Sequence, residues 1–254
     1  MRSAKDGLSL VMPMAGRGSR FSRAGQLQPK PLIDLDGMPF FWWATESVRR
    51  AAPVGEMVFV VLEEHCRDFA IDQRIAAFYP DAKLVRLPEV TAGAAETAMV
   101  GIEELAGTGP LAVNDCDHAF LCSGLPDAVA ALSSNAAAGL VCFRSDSPAY
   151  SYARMDDEGF VADTVEKQVV SPFAIAGCYL FASPQTASGA MEAYRASCPY
   201  DELFISGLMN TILQSGDSIT KTDLDLHLSF GTPEELEGVD IAVLRRHMAW
   251  RSLS

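Results

Sequence analysis

The sequence predicts an α/β protein, a three-layer α/β/α sandwich with a mixed, mostly parallel sheet. Strand-like and helix-like segments alternate along the first half of the chain, which is typical of a parallel sheet covered by helices on both faces. In the second half, the turn-rich stretch from Asp156 to Gly159 predicts an antiparallel hairpin. The sequence contains no repeat, low-complexity tract or linker, so one domain over residues 1–254 is the simplest interpretation.

The predicted elements follow the apolar runs in chain order, and the first is a buried strand over Leu8 to Met12. In the first half, helices are predicted over Pro39 to Ala51, Glu64 to Ala77, Ala92 to Leu105 and Leu125 to Ser134. The strands between them are predicted over Met57 to Leu62, Lys83 to Leu87, Pro110 to Val113 and Ala138 to Phe143.

The second half is predicted to begin with the two hairpin strands and to end with helices. Strands are predicted over Tyr152 to Met155, Phe160 to Thr164, Ala174 to Phe181 and Ser218 to Asp225. Helices are predicted over Pro184 to Ala196, over Tyr200 to Gln214 and, as a short helix, from Glu234 onward. The tail from Val239 to Ser254 is expected to pack as a helix or to mediate assembly, which leaves a homo-oligomer open.

The composition predicts a soluble enzyme of the cytoplasm. Hydrophobic residues make up 49% of the chain, yet no apolar stretch approaches the roughly 20 residues that span a bilayer, so no membrane partner is expected. The N-terminus shows no separate signal-peptide core, and the six cysteines form no C-x-x-C pair, a pattern that fits thiols in a reducing compartment. A net charge of −13 argues against nucleic acid as a partner.

A glycine-rich loop directly follows the first strand. It reads PMAGRGSRF from Pro13 to Phe21, and PKPL follows from Pro29 to Leu32. Glycine has no side chain, so backbone N–H groups in such a loop can approach phosphate oxygens closely. Arg20 and Lys30 add two cations to the same region. The pattern therefore predicts a polyphosphate site, and its loop residues are Ala15, Gly16, Gly18 and Ser19.

Two common phosphate-binding motifs do not fit this loop. Phe21 occupies the third glycine position of the dinucleotide fingerprint G-x-G-x-x-G, and no Lys-Ser or Lys-Thr pair completes a Walker loop. The surroundings are nevertheless basic, because residues 1–30 carry six basic side chains and one acidic side chain, Asp6. A locally basic cleft in an acidic protein is typical of an enzyme that handles small anions.

A second candidate site follows the strand at Pro110 to Val113. Asp115 and Asp117 form a D-x-D pattern at the carboxyl end of that strand, where open α/β sheets bind their ligands. Carboxylate oxygens are the natural ligands of Mg²⁺ that carries nucleotide phosphates. His118 is a polar neighbour in the same segment.

Together, these motifs resemble the sugar nucleotidyltransferases, that is, the NDP-sugar pyrophosphorylases and their phosphocholine cytidylyltransferase relatives. The resemblance continues at intervals to about Leu236. It implies a Rossmann-like nucleotidyltransferase fold and transfer of NMP from a nucleoside triphosphate to a sugar 1-phosphate or a similar phosphorylated or phosphonate headgroup, with release of pyrophosphate. Arg20 and Lys30 would be the catalytic cations that hold the triphosphate, and Mg²⁺ would be the cofactor.

The resemblance also implies roles for residues farther along the chain. Asp117 matches the metal ligand, and Gly93 matches a glycine whose backbone approaches the nucleobase. Glu166 and Lys167 match a Glu-Lys pair, placed on the strand after the hairpin, that touches sugar hydroxyls and the acceptor phosphate. Gly177 matches a glycine that lines the sugar pocket.

The chain departs from the family pattern at the place of a second metal ligand. Ser229 stands where many members have aspartate or asparagine two residues before a glycine, and a serine hydroxyl is a weak Mg²⁺ ligand. Asp223 or Asp225 is a candidate for the second metal ligand, since both would lie on the same face as Ser229 if the strand is continuous. In addition, Gln168 replaces the proline that usually follows the lysine.

Three functions stay open at this point. The first is the sugar nucleotidyltransferase. A cytidylyltransferase for phosphocholine or a phosphonate is a variant of it and would need an aromatic cage for a quaternary amine, with Trp42, Trp43 and Tyr152 as candidates. The second is a D-x-D glycosyltransferase that uses an NDP-sugar, and the third is a nucleotide-binding relative without catalysis. The sequence names neither the base, nor the acceptor, nor the oligomeric state.

Overall fold

The computed structural model describes residues 7–132 and 134–248. The described strands are β1 (Leu8–Pro13), β2 (Asp34–Leu35), β3 (Met38–Pro39), β4 (Val54–Leu62), β5 (Lys83–Leu87), β6 (Leu111–Asn114), β7 (His118–Leu121), β8 (Ala138–Arg144), β9 (Tyr152–Met155), β10 (Val161–Val165), β11 (Phe173–Phe181), β12 (Ile219–Asp223) and β13 (Leu226–Ser229). The described helices are α1 (Ser19–Arg23), α2 (Phe40–Ala51), α3 (Glu63–Phe69), α4 (Ile71–Phe78), α5 (Ala94–Glu103), α6 (Leu125–Leu132), α7 (Pro184–Ser197), α8 (Ile205–Gln214), α9 (Pro233–Glu237) and α10 (Ile241–Met248), with a 3₁₀ helix at Lys30–Leu32.

A nine-stranded mixed sheet forms the centre of the molecule. Strands β6, β1, β4 and β5 are parallel neighbours, and β11 joins β6 in antiparallel orientation. On its other side β11 pairs with β8, which pairs in parallel with β12. The hairpin β9–β10 attaches to the start of β11. Only β10 and β11 therefore run against the other described strands of this sheet, which confirms the predicted mixed, mostly parallel arrangement.

The side chains of the central strands divide between two apolar cores. Leu10 and Met12 of β1 point to a core with α2, α4 and α6, whereas Val11 points to a core with α5, α7 and α8. In β4, Phe59 belongs to the first core and Val60 to the second. This alternation follows from the two-residue side-chain period of a strand. It confirms the predicted three-layer α/β/α sandwich.

Several predicted elements differ from the structure at points with a local cause. The predicted helix over 64–77 is two helices, because Ala70 adopts a left-handed conformation with φ 52°. The predicted strand over 218–225 ends at Asp223, and a separate strand, β13, pairs with the unpredicted strand β7. Helix α8 begins at Ile205 rather than at Tyr200, because Leu203 exchanges backbone hydrogen bonds with the segment before α5.

The C-terminal tail and the bounds of the domain were also predicted. Helix α10 confirms a helix within the tail, and its Leu244 is fully buried. Residues 1–6, 133 and 249–254, and with them both ends of the predicted domain, lie outside the described residues. None of the helices in the described part of the chain is long and apolar enough to cross a bilayer.

Candidate active site

A cleft of about 660 Å³ opens at the carboxyl ends of β1 and β6. The residues that the glycine-rich loop and the family resemblance assign to the site line this cleft. They are Ala15, Gly16, Gly18, Ser19, Arg20, Lys30, Gly93, Asp117, Glu166, Lys167 and Gly177. The structure thus brings together residues that are up to 162 positions apart in the chain (177 − 15).

The loop after β1 presents unpaired backbone donors to the cleft. Met14 still donates its N–H to Val60 O (2.8 Å), but among the described residues the N–H groups of Ala15 to Gly18 have no acceptor. Gly18 takes φ 58°, a left-handed conformation that glycine adopts without strain. A Cβ placed on Gly16 would meet no atom within 4 Å, so the loop is open on its cleft side. Such a run of free N–H groups forms an anion-binding concavity.

Lys30 and Asp117 form an ion pair in the centre of the cleft. The Lys30 Nζ atom lies 2.8 Å from Asp117 Oδ2, and both side chains are about three-quarters buried (27% and 22% exposed). Burial disfavours the charged form of Lys30, but Asp117, together with Cys116 and Asp115, outweighs burial and raises the pKa of the lysine above its ordinary value. Burial likewise opposes the charge on Asp117, and Lys30 nevertheless lowers its pKa. Both groups are therefore charged at neutral pH.

Asp115 lies beside this pair, beneath Gly177. Its N–H donates to Gly177 O (2.9 Å), and a Cβ on Gly177 would stand 2.6 Å from Asp115 Oδ2. Gly177 also has φ 73°, so both the contact and the backbone require glycine. Burial, together with repulsion from Asp117, raises the pKa of Asp115 to about 7.

His118 follows the two aspartates and lines the same cleft. One of its ring nitrogens, Nε2, lies 3.1 Å from Asn114 Oδ1 in a buried contact. Burial lowers the pKa of His118 to about 4, so the imidazole is neutral at physiological pH. The residue is a polar neighbour of the site rather than a cation for a phosphate.

On the opposite wall, Glu166 and Lys167 occupy a turn directly after β10, not the strand itself as predicted, because Lys167 takes a left-handed φ of 52°. Glu166 Oε2 accepts hydrogen bonds from the hydroxyls of Ser151 and Ser206 (Ser206 Oγ at 2.7 Å). Lys167 Nζ lies 3.7 Å from Glu166 Oε1 and 4.5 Å from the ring centroid of Phe204. The lysine is therefore held in place by a carboxylate and an aromatic face.

The comparison with known protein families decides how this cleft is interpreted. Residues 11–205 match the model of the MobA-like NTP transferase domain. The chain belongs to this family. It is a nucleotidyltransferase, and the cleft is its candidate active site.

Solved structures agree with this assignment at the level of the fold. A nucleoside-diphosphate-sugar pyrophosphorylase of Vibrio cholerae is 24% identical, with a TM-score of 0.79 over 90% of this chain and 98% of that one. A Bacillus anthracis protein assigned as a glucose-1-phosphate thymidylyltransferase is 17% identical (TM-score 0.74, 91% and 92% covered). The inositol-1-phosphate CTP transferase of T. maritima is 15% identical (TM-score 0.71, 92% of each chain). No curated protein sequence matches the chain.

The loop that carries Gly93 closes the wall beside the phosphate-binding loop of this NTP transferase domain. Leu203 donates its N–H to Ala92 O (3.0 Å) and accepts a hydrogen bond from Ala95 N–H (2.9 Å). A Cβ on Gly93 would stand 2.5 Å from Leu203 N, so the two backbones meet only because residue 93 is glycine. Gly93 lines the cleft at this contact.

Two sets of candidate residues, the aromatic cage and the substitute metal ligands, lie outside the cleft. The proposed cage residues do not line the cleft: Trp42 is buried on α2, Trp43 donates its indole N–H to Leu35 O (2.8 Å), and Tyr152 donates its hydroxyl to Ser147 O (2.7 Å). Asp223 and Asp225 do not reach the cleft either, because they bind Lys221 and Ser123 respectively.

Other cleft residues escaped sequence reasoning because nothing in their local pattern marks them. Seven of these are Tyr150, Ser151, Phe204, Ser206, His227, Gly231 and Glu235. One signal was available: Thr232 and Glu235 have the T-x-x-E spacing of a helix capping box, and the structure shows that box at the start of α9. That motif locates the helix but not its contact with the cleft.

The donor set of the cleft suits Mg²⁺ delivered with a nucleotide. Within the described residues, no cluster of three or more His, Cys, Asp and Glu side chains is arranged to bind a metal by itself. Mg²⁺ in nucleotide sites is usually held by one or two carboxylates together with substrate phosphates. Asp115 and Asp117 supply two carboxylates, and a bound cation would relieve the repulsion that, after burial, raises the pKa of Asp115. The residues present therefore fit the ion.

Proposed function

We propose that the enzyme transfers NMP from a nucleoside triphosphate to the phosphate of a sugar 1-phosphate or a related hydroxyl-bearing headgroup, and releases pyrophosphate. The carrying observation is that the Lys30–Asp117 ion pair lines the same cleft as a phosphate-binding type of loop and a wall of hydrogen-bonding side chains. The nucleotide side consists of the Ala15–Ser19 loop with Arg20 and Gly93. The acceptor side consists of Tyr150, Ser151, Glu166, Lys167 and Ser206.

The reaction requires positioning and charge stabilisation more than proton transfer. A phosphate monoester is ionised near neutral pH, so one of its oxygens attacks the α-phosphorus without a strong general base. The bond from the α-phosphorus to the bridging oxygen breaks, and pyrophosphate leaves with that electron pair. Two anions must approach each other, and fixed positive charges lower the barrier to this approach.

The residues of the nucleotide side have complementary roles in this scheme. The free N–H groups of the loop bind the phosphate chain, and the exposed Arg20 neutralises it from the solvent side. Lys30, which is paired with Asp117 in the cleft, stabilises charge that develops at the α-phosphate. Its raised pKa means that the ammonium is charged at neutral pH.

Asp117, assisted by Asp115, would hold Mg²⁺ in this scheme. When bound, the ion neutralises phosphate oxygens and polarises the phosphoryl group that is transferred. In the structure, Asp117 binds Lys30 instead. The same carboxylate thus keeps the lysine and the metal site next to each other.

The acceptor side favours hydroxyl groups over a quaternary amine. Glu166 combines with two serine hydroxyls to form a hydrogen-bonding wall, which suits a sugar or a polyol. The Phe204 face that could bind a cationic headgroup already carries Lys167, whose ammonium would bind the acceptor phosphate. The V. cholerae and T. maritima relatives are named for a sugar and an inositol phosphate, in line with this choice.

We also infer that the described residues form one nucleotidyltransferase domain. Two cores on either face of the same sheet support this inference, because each core draws residues from both halves of the chain.

The deciding experiment measures pyrophosphate release with Mg²⁺, crossing four nucleoside triphosphates with sugar 1-phosphates, inositol 1-phosphate, phosphocholine and aminoethylphosphonate. We expect release that depends on one sugar or polyol phosphate and on one base. Release with phosphocholine alone would overturn the acceptor class but not the reaction. Turnover of an NDP-sugar without pyrophosphate would favour the glycosyltransferase alternative. Triphosphate binding with no release from any pair would favour a non-catalytic relative.

A further inference from the structure

The segment after residue 205 lies beyond the family match, yet it contributes residues to the cleft. Five of its residues line the cleft together with the matched residues, namely Ser206, His227, Ser229, Gly231 and Glu235. Strand β13 pairs with β7, so that Ser229 lies opposite His118. The next residue, Phe230, donates its N–H to Asp117 O (3.0 Å). The backbone of Asp117 is thus fixed by a segment more than 110 residues away (230 − 117).

The Asp117 side chain is enclosed by the same segment. Gly231 lies directly against it, because a Cβ at this position would stand 2.5 Å from Asp117 Oδ2. Any other residue at 231 would push on the oxygen that binds Lys30. The position of the Gly231 backbone therefore determines the space available to the carboxylate.

Glu235 fixes that backbone. Its Oε2 atom accepts hydrogen bonds from Gly231 N–H (3.0 Å) and Thr232 N–H (3.1 Å), which completes the capping box of α9. Helix α9 has only five residues and buries none of them, so it contributes little packing of its own. The first turn of α9 is therefore held by contacts with residues outside the helix.

Tyr150 provides this support from the acceptor side. Its hydroxyl donates to Glu235 Oε1, the oxygen that the capping box leaves free. The ring is held by edge contacts with Phe143 (centroids 5.0 Å apart) and His227 (6.4 Å), so the hydroxyl points in a fixed direction. A continuous chain of contacts therefore runs from Tyr150 through Glu235 and Gly231 to Asp117.

We infer that Tyr150 and Glu235 are positioning residues, which hold the Gly231 turn against Asp117 and so keep this carboxylate in place for the metal and for Lys30. The inference rests on the proposed function. Tyr150 would then position Asp117 in addition to lining the acceptor side. The segment beyond the family match, which carries Gly231 and Glu235, would also contribute to the reaction.

Tyr150→Phe tests the inference, because the ring contacts remain and only the hydroxyl is lost. We expect kcat to fall about tenfold, the usual effect of losing one hydrogen bond to a charged group, while KM for the triphosphate stays within about twofold. We also expect Mn²⁺, titrated calorimetrically in the presence of a non-hydrolysable triphosphate analogue, to bind about tenfold more weakly. Glu235→Ala should produce the same losses, and the double variant should lose no more than either single variant.

Tyr152→Phe is the matched control, since Tyr152 donates its hydroxyl to Ser147 O in the same loop without lining the cleft. We expect it to leave kcat and Mn²⁺ affinity at the wild-type values. Wild-type kcat and Mn²⁺ affinity in Tyr150→Phe would overturn the inference, and so would equal losses in Tyr152→Phe. The calorimetric measurement needs no turnover, so it still decides the inference if the wild-type protein releases no pyrophosphate and the proposed function fails.

Discussion

The two sides of the cleft are built in different ways. The proposed nucleotide side consists largely of contiguous backbone: the N–H groups of Ala15 to Gly18 have no acceptor in the described part of the chain, and a Cβ on Gly16 would meet no atom within 4 Å. The acceptor side consists of side chains from distant segments, with Glu166 bonded to Ser151 and Ser206, which lie 15 and 40 residues away. A side made of backbone recognises a feature common to all its ligands, the phosphate chain. A side made of side chains can acquire specificity for a different acceptor when one of these residues is substituted.

Lys30 stands between the two sides, and its removal should have the largest effect. We predict that Lys30→Ala lowers kcat about a hundredfold or more, because removal of one charge-stabilising group costs about 2.7–4 kcal/mol of barrier. Pyrophosphate release would measure this loss, and circular dichroism would show that the fold survives. Lys83→Ala, which removes a lysine paired with Glu56 outside the cleft, should keep wild-type turnover. Near-normal turnover in a folded Lys30→Ala protein would remove the lysine from the reaction.

Two glycines offer a sharper contrast between the sides. Gly177→Ala should lower the free energy of unfolding by about 2 kcal/mol or more, because Asp115 Oδ2 and a left-handed φ both exclude a side chain. Gly16→Ala should leave that free energy nearly unchanged and instead raise KM for the triphosphate, since its methyl group would face open space where phosphate must approach.

Urea denaturation and steady-state kinetics on the same two variants separate these outcomes. A large loss of stability in Gly16→Ala, or wild-type stability in Gly177→Ala, would contradict the division between an open backbone side and a packed side-chain side.

The smallest predicted effect concerns Phe204 beneath Lys167. Phe204→Leu should raise KM for the acceptor about two- to fivefold, because a cation–π contact at a partly exposed site contributes about 0.5–1 kcal/mol. KM for the triphosphate should not change. Phe204→Tyr retains an aromatic face and should retain the acceptor KM. A rise in both KM values would show that the two sides are not independent.

The same contrast explains how much of the site the sequence could predict. The phosphate loop, Lys30 and Asp117 were located because they are contiguous motifs at strand ends, where the order of the chain alone brings them together. Tyr150, Ser206 and Phe204 were not located, because their position depends on how the hairpin and α8 pack over the sheet. No local spacing encodes that packing.

The fold was predictable to a similar extent and for a related reason. The central strands carry apolar runs because both of their faces are buried, and these runs located β8 and β11 to within one residue at each end. By contrast, β7 and β13 were missed, because they form a separate two-stranded ladder whose residues are mixed in polarity. Ala70 was missed because a left-handed alanine has no signature in sequence.

The most direct test of the account is ³¹P NMR of a reaction that contains enzyme, Mg²⁺, the preferred triphosphate and the preferred acceptor. The account predicts one new diphosphate bridge between the acceptor phosphate and the α-phosphorus of the nucleotide, formed in equal amount with free pyrophosphate. Formation of nucleoside diphosphate and inorganic phosphate, with no bridge to the acceptor, would contradict it.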